Sequence, residues 1–234
     1  MSGQPQSPEI SSSENSPCDN SSLADMRRNY QRAGLSKADC PDSPFEQFTA
    51  WFEASKAASP GDWFEVNAMT LSTATPAGSV SARIVLLKAF DERGFVFFTN
   101  YDSQKGTELA ANPHASLTFY WGPLERQVRI VGFVEKTSRE QSEEYFHARP
   151  RASQLGAIVS QQSSLVPNRA ALETAMQQLE TQHEGKEIPV PEHWGGYRVV
   201  PTEIEFWQGR PNRLHDRIRY RKEGKAWVLE RLAP

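Results

Sequence analysis

Cysteine is scarce in this chain: two stand among 234 residues, Cys18 and Cys40, both in its polar N-terminal part. One possible bridge is no disulfide framework, so a reducing compartment is expected. No apolar run approaches membrane-spanning length, which leaves out a helical membrane protein. A basic excess is missing too, since 26 Lys and Arg face 29 Asp and Glu for a net charge of −3. Nucleic-acid binders usually carry a basic balance, so no nucleic-acid partner is expected. The N-terminus lacks the charged-then-apolar pattern of a secretory leader, and its acidic residues and few arginines do not suit a transit peptide. A soluble cytoplasmic protein is the expectation. No His, Cys, Asp and Glu grouping has zinc spacing, so no metal is expected. Gly-rich phosphate loops and a nucleophile elbow are also absent, which argues against P-loop, Rossmann and serine-hydrolase chemistry.

What is present divides the chain in two. Residues 1–24 are mostly Ser, Pro, Asn, Gln and Glu, and cannot bury enough surface to offset their ordering entropy. A disordered tail is expected there, and one domain over residues 25–234. Met26–Leu35 is short and basic and reads as the solvated start of a helix. Phe45, Phe48, Trp51 and Phe52 have helical spacing within residues 43–58. Short β-branched and aromatic runs follow at 68–73, 82–90, 95–99, 115–121 and 126–136, separated by turns. Helices are expected at 104–111, 138–148 and 168–183, with a final β section from Trp194 to Leu232. The fold class is α+β with a mainly antiparallel sheet, a barrel or a sandwich.

The chemistry lies in local clusters of cations. Arg213, His215 and Arg217 alternate in a stretch that reads as strand, so they would share one face. Three potential cations on one face repel unless something anionic lies against them. Arginine suits planar, bidentate contact with phosphate. Arg83 and Lys88 flank the apolar run Ile84-Val85-Leu86-Leu87; an odd separation in a strand would send them to opposite faces, and both could be plain edge charges. Tyr145 and Arg149 are four apart in a helix, with Pro150 ending it and Ser153 soon after. These three could form a phosphate pocket; Arg149 could equally be an ordinary C-terminal arginine. Ser103 and Lys105 begin a short helix and could meet a phosphate, although Ser103 could be only an N-cap.

Nine segments, in order, resemble the pyridoxamine/pyridoxine 5′-phosphate oxidase family: RIVLLK (83–88), FFTN (97–100), ERQV (125–128), YFHARPRASQLGA (145–157), SQQSS (160–164), WGGYR (194–198), EFWQG (205–209), RLHDR (213–217) and ERLAP (230–234). The resemblance implies an FMN-binding split β-barrel with peripheral helices, a homodimer holding FMN between its subunits. It carries flavin contacts onto Arg83, Ile84, Val85, Leu86, Lys88, Phe98, Thr99, Lys105, Gln127, Gln162, Ser163, Trp207 and Arg217. It carries substrate contacts onto Lys88, Tyr145, Arg149, Ser153, Arg213 and His215, with Arg27 and Tyr30 closing over the substrate. The implied reaction turns pyridoxine or pyridoxamine 5′-phosphate into pyridoxal 5′-phosphate, with hydride passing to the flavin and O2 becoming H2O2. Arg213 and His215 would act at the pyridine ring. Where the family commonly has Ser-Arg-Lys, this chain has Ser103-Gln104-Lys105, and the arginine is a flavin-phosphate contact. Weaker FMN binding is therefore expected at Gln104. A non-catalytic flavin or pyridoxal-phosphate carrier on the same barrel is the alternative, and loss of substrate residues would mark it.

Overall fold

The computed structural model describes residues 29–234. The expected tail and Arg27 lie outside them. Residues 29–35, the described part of the stretch expected to begin a helix, are irregular chain instead.

Helix α1 (Pro44–Ala57) starts where Ser43 Oγ accepts the Phe45 N–H and Pro44 takes the first turn. Its apolar stripe buries Phe45, Phe48 and Trp51. Phe48 meets Phe90, Phe95 and Phe119 edge-to-face at 4.8, 5.0 and 5.2 Å. Such pairs add about 0.5–1.5 kcal/mol each beyond their area. The helix thus fills the hollow of a curled sheet.

That sheet has nine antiparallel strands: β1 (Ala68–Ala74), β2 (Val80–Leu86), β3 (Ala89–Asp91), β4 (Gly94–Asn100), β5 (His114–Trp121), β6 (Arg126–Lys136), β7 (Trp194–Gln208), β8 (Asp216–Glu223) and β9 (Ala226–Leu232). Seven form the path β2-β1-β5-β6-β7-β4-β3, while β8 pairs with β7 and β9 with β8. The long β7 gives its first half to β4 and its second to β8, with β6 along its other edge.

The path explains the curl. Strands β2 and β3 are its two ends, yet only Leu87 and Lys88 separate them. Six strand spacings in a flat sheet cover about 29 Å. Three peptide steps reach at most about 11 Å. The sheet must therefore roll until its edges nearly meet. Leu87 N–H donates to Asn67 O and Lys88 N–H to Val96 O, each at 2.8 Å, which carries the chain across the gap. The single strand expected over 82–90 is for this reason broken in two.

Four more helices flank the sheet: α2 (Gln104–Ala111), α3 (Arg139–Ala148), α4 (Arg151–Val159) and α5 (Arg169–Gln182). Helix α4 has no counterpart in the sequence reading, which left residues 151–159 without an element. Pro150 both ends α3 and caps α4. A smaller core of Phe146, Leu155, Ile188 and Trp194 joins these helices to β7. No helix among the described residues is long and apolar enough to cross a membrane.

Candidate active site

Where β2 and β4 separate, a cavity of about 940 Å3 opens along the free edge of β2. Arg83, Ile84, Val85, Leu86 and Lys88 line it from one side, and Phe98 and Thr99 from the other. Arg83 and Lys88 were expected on opposite faces. They line one cavity because β2 stops at Leu86, and strand alternation does not carry through the Leu87-Lys88 crossing.

One end of the cavity is built on the start of α2. Ser103 is the N-cap, accepting the Gly106 N–H, and is fully buried. Lys105 is also buried and donates to Thr99 Oγ1 (3.1 Å), Ser103 Oγ (3.2 Å) and Gln162 Oε1 (2.6 Å). These acceptors are all neutral. Burial, then the charge of Arg83, pulls the ammonium down to about 8, against an opposing pull from Glu108. Ser163 sits at φ +75°, and its Oγ accepts the Gln104 N–H at 3.2 Å. Gln162 and Ser163, a featureless polar loop by composition, thus close over α2. Arg83 reaches Leu71 O (3.2 Å) and Thr73 Oγ1 (2.6 Å).

The other end is aromatic and cationic. Phe98, Tyr145 and Trp194 stack, with Phe98 to Tyr145 at 4.1 Å and Phe98 to Trp194 at 5.5 Å. Lys88 Nζ stands 5.9 Å from the Tyr145 ring centre, and the Arg149 guanidinium 5.1 Å from that of Trp194. Arg149 is the residue after α3, as Pro150 dictates, and its Nη1 is buried with no hydrogen-bond partner. A buried guanidinium nitrogen left unpaired costs free energy that an anion would recover. Burial pulls the Arg149 pKa below the ordinary arginine value. Ser153 lies one turn into α4 on the same wall. The close approach of β7 here needs Gly195 and Gly196, since a Cβ would meet Tyr101 Oη at 2.2 Å or Thr137 Oγ1 at 2.5 Å.

The remaining expected residues gather elsewhere, away from the cavity lining of this chain. Trp207 faces His215 at 4.7 Å, and Tyr30 packs edge-on against both. Gln127 and Arg217 flank Trp207 in the β6–β7 and β7–β8 registers. The shared strand face expected for Arg213, His215 and Arg217 is not formed. Pro211–Arg213 is a 3-10 turn, Asn212 and Arg213 take φ +56° and +61°, and β8 begins only at Asp216. Arg217 instead shares the Glu205 carboxylate with Arg129, whose Nη2 lies 2.6 Å from Glu205 Oε2. The Arg217 guanidinium forks onto Glu205 at 2.7 and 3.1 Å. His215 Nδ1 accepts the Arg210 N–H at 3.1 Å, which leaves Nε2 to carry the ring proton or meet a ligand.

Three residues that build these clusters carry no local signal that singles them out. Glu205 lies inside EFWQG but was given no role. Trp194 lies inside WGGYR, and a run of aromatics does not reveal a stack. Glu125 accepts the Gln31 and Arg32 N–H groups at 3.0 and 3.2 Å, holding Tyr30 in place across 94 residues of sequence. No local signal predicts such a contact.

A rolled antiparallel sheet with a cation-lined cavity at its open edge defines a split-barrel protein. PhzG from Burkholderia lata 383, solved in complex with tetrahydrophenazine-1-carboxylic acid, superposes with a TM-score of 0.82 at 29% identity, over 88% of this chain and 100% of that one. A pyridoxamine 5′-phosphate oxidase-related, FMN-binding protein from Nostoc punctiforme shares the fold at a TM-score of 0.64 and 16% identity, over 82% of this chain and 98% of that one. Residues 45–183 match the family described as pyridoxamine 5′-phosphate oxidase, and residues 194–234 the pyridoxine 5′-phosphate oxidase C-terminal dimerisation region. The chain is 57% identical to the pyridoxine/pyridoxamine 5′-phosphate oxidase of Salinibacter ruber, over 92% of this chain and 100% of the relative. It is 54% identical to that of Gloeothece citriformis, over 91% and 99%. The chain belongs to the pyridoxamine 5′-phosphate oxidase family, and it is an enzyme.

Proposed function

We propose that this enzyme oxidises pyridoxine 5′-phosphate and pyridoxamine 5′-phosphate to pyridoxal 5′-phosphate, with FMN as cofactor and O2 reduced to H2O2. The observation that carries this reading is the pair of anion-binding ends in one cavity. Arg83 and Lys105 at one end suit a cofactor phosphate. Arg149, with its unpaired buried Nη1, and Lys88, Tyr145 and Ser153 at the other suit a substrate phosphate.

The residues present fit FMN. The free edge of β2 offers backbone donors and acceptors to a polar ring edge, and Ile84, Val85 and Leu86 offer apolar contact. When bound, FMN supplies the two-electron acceptor that links C4′ oxidation to O2. The chain supplies the rest. Arg149 and Lys88 anchor the substrate phosphate, remote from the reacting carbon, and so fix the ring. Arg213 covers the ring, and His215 Nε2 orients the C4′ substituent. In this reading the protein is a homodimer, and Gln127, Trp207, Arg213, His215 and Arg217 complete the cavity of the partner subunit. Their separation from this chain's own cavity supports it, as do the exposed Val80, Ile84 and Phe133 on the sheet and the dimerisation region.

The test is an anaerobic absorption spectrum of the FMN-reconstituted protein. Pyridoxine 5′-phosphate should bleach the flavin bands, and air should restore them with pyridoxal 5′-phosphate formed. Bound flavin that neither the alcohol nor the amine bleaches would leave the carrier alternative standing.

Two binding predictions follow from the α2 end. Gln104 turns its amide to Glu108 Oε1 at 2.9 Å, so it brings no charge to the phosphate. Gln104→Arg should tighten FMN binding by about 10- to 100-fold, the worth of one charge-assisted hydrogen bond of about 1.5–3 kcal/mol. An unchanged Kd in a flavin-fluorescence titration would refute the expectation drawn from the missing arginine. The second concerns pH. Lys105 titrates at about 8 without ligand. A phosphate dianion favours the ammonium, so FMN binding takes up a proton above that pH. FMN affinity should therefore fall as pH rises above 8, by up to about tenfold per pH unit until the bound form also titrates. In Lys105→Met the slope should vanish; a slope kept by that variant would assign it to another group.

A further inference from the structure

The cofactor-phosphate end contains a carboxylate that no step of the proposed chemistry uses. Glu108, in α2, is buried at 7% exposure. Its Oε2 accepts from the hydroxyls of Thr73 and Ser81, the latter at 2.6 Å, and lies 3.5 Å from Arg83 Nη2. Its Oε1 accepts from Gln104 Nε2. The same two hydroxyls accept from Arg83, Thr73 from Nη1 and Ser81 from Nη2.

The direction of these bonds matters. A hydroxyl has one proton. Thr73 and Ser81 spend theirs on Glu108, so only lone pairs face Arg83. Without an acceptor at Glu108 both hydroxyls could rotate their protons toward the guanidinium, and Arg83 would lose two of its anchors. An acid next to a phosphate site otherwise repels the ligand. Three hydrogen bonds from Ser81, Thr73 and Gln104, with the Arg83 charge, outweigh the upward push of burial and hold Glu108 at about 2, ionised at every working pH.

We propose that Glu108 is a positioning residue for FMN: through Thr73 and Ser81 it holds Arg83, and directly it holds Gln104, in the geometry that receives the cofactor phosphate. This rests on the flavin reading above. It differs from a charge effect, which would make Glu108 a brake on phosphate binding.

The experiment titrates the apoprotein with FMN and follows quenching of flavin fluorescence, with no turnover needed. Glu108→Ala should raise the Kd by about tenfold or more. Glu108→Gln should stay within about threefold of the wild type or bind more tightly, because its carbonyl still accepts from both hydroxyls. Thr73→Val breaks the relay while keeping the carboxylate, and should weaken FMN as Glu108→Ala does; it serves alone should Glu108→Ala fail to fold by circular dichroism. An unchanged or lower Kd in Glu108→Ala or in Thr73→Val would overturn the proposal. So would equal weakening in Glu108→Gln and Glu108→Ala, which would make the direct ion pair to Arg83, and not the hydroxyl relay, the anchor. A wild-type apoprotein that binds no FMN would instead overturn the flavin reading itself.

Discussion

Arg149→Met is expected to raise the KM for pyridoxine 5′-phosphate by about 100-fold or more, while leaving the ligand-free protein at least as stable. Breaking a buried, hydrogen-bonded charge pair costs about 2–5 kcal/mol, and tenfold corresponds to about 1.4 kcal/mol. The stability sign runs the other way. In the free protein Arg149 Nη1 is buried without a partner, a penalty of about 1–3 kcal/mol that methionine removes. Methionine also keeps an apolar stem against Phe146 and Trp194, which the guanidinium now overlies. Steady-state kinetics and thermal denaturation without ligand check both halves. An unchanged KM would move the substrate phosphate elsewhere. A Tm lower by several degrees would make Arg149 a structural arginine.

Arg213→Ala is expected to lower kcat/KM by about 100-fold, the scale of a misplaced reacting group, with FMN affinity unchanged. Asn212 and Arg213 both occupy left-handed backbone that costs about 1–3 kcal/mol per residue, and such strain concentrates at functional sites. Alanine inherits that strain, so the substitution tests the guanidinium and not the turn. Arg213→Lys should fail to rescue, because an ammonium cannot reproduce a planar donor surface. Retained turnover in Arg213→Ala would remove it from the mechanism. Because Arg213 and Arg149 lie apart in one chain, the two variants also test the dimer together. Mixed after subunit exchange, Arg149→Met and Arg213→Ala should recover activity toward about one quarter of wild type, since half of the dimers are mixed and each restores one intact site. No recovery with confirmed exchange would confine each site to a single chain.

Much of this site was legible in residues that are neighbours in sequence. The Tyr145–Arg149 spacing, with Pro150 closing the helix, put both side chains at a helix end, and both line the cavity. Ser103-Gln104-Lys105 read as a helix start, and Ser103 is its cap. Alternation misled where a strand was interrupted. Lys88 and Arg83 share a cavity because the sheet has to close, and Arg213 falls in a turn of left-handed residues before β8 begins.

By itself the sequence determined which residue types could hold anions, where most strands and helices run, and through its motifs which family the chain joins. Those properties depend on side-chain chemistry and on contacts within a few residues. Tertiary structure alone decided that Glu108 anchors Arg83, that Glu205 takes the fork of Arg217, and that Glu125 holds the chain around Tyr30 from 94 residues away. Each is a carboxylate whose partner stands on another element, brought to it by tertiary packing. The rolling of the sheet follows from edge strands joined by two residues, a constraint on the whole path and not on any segment of it.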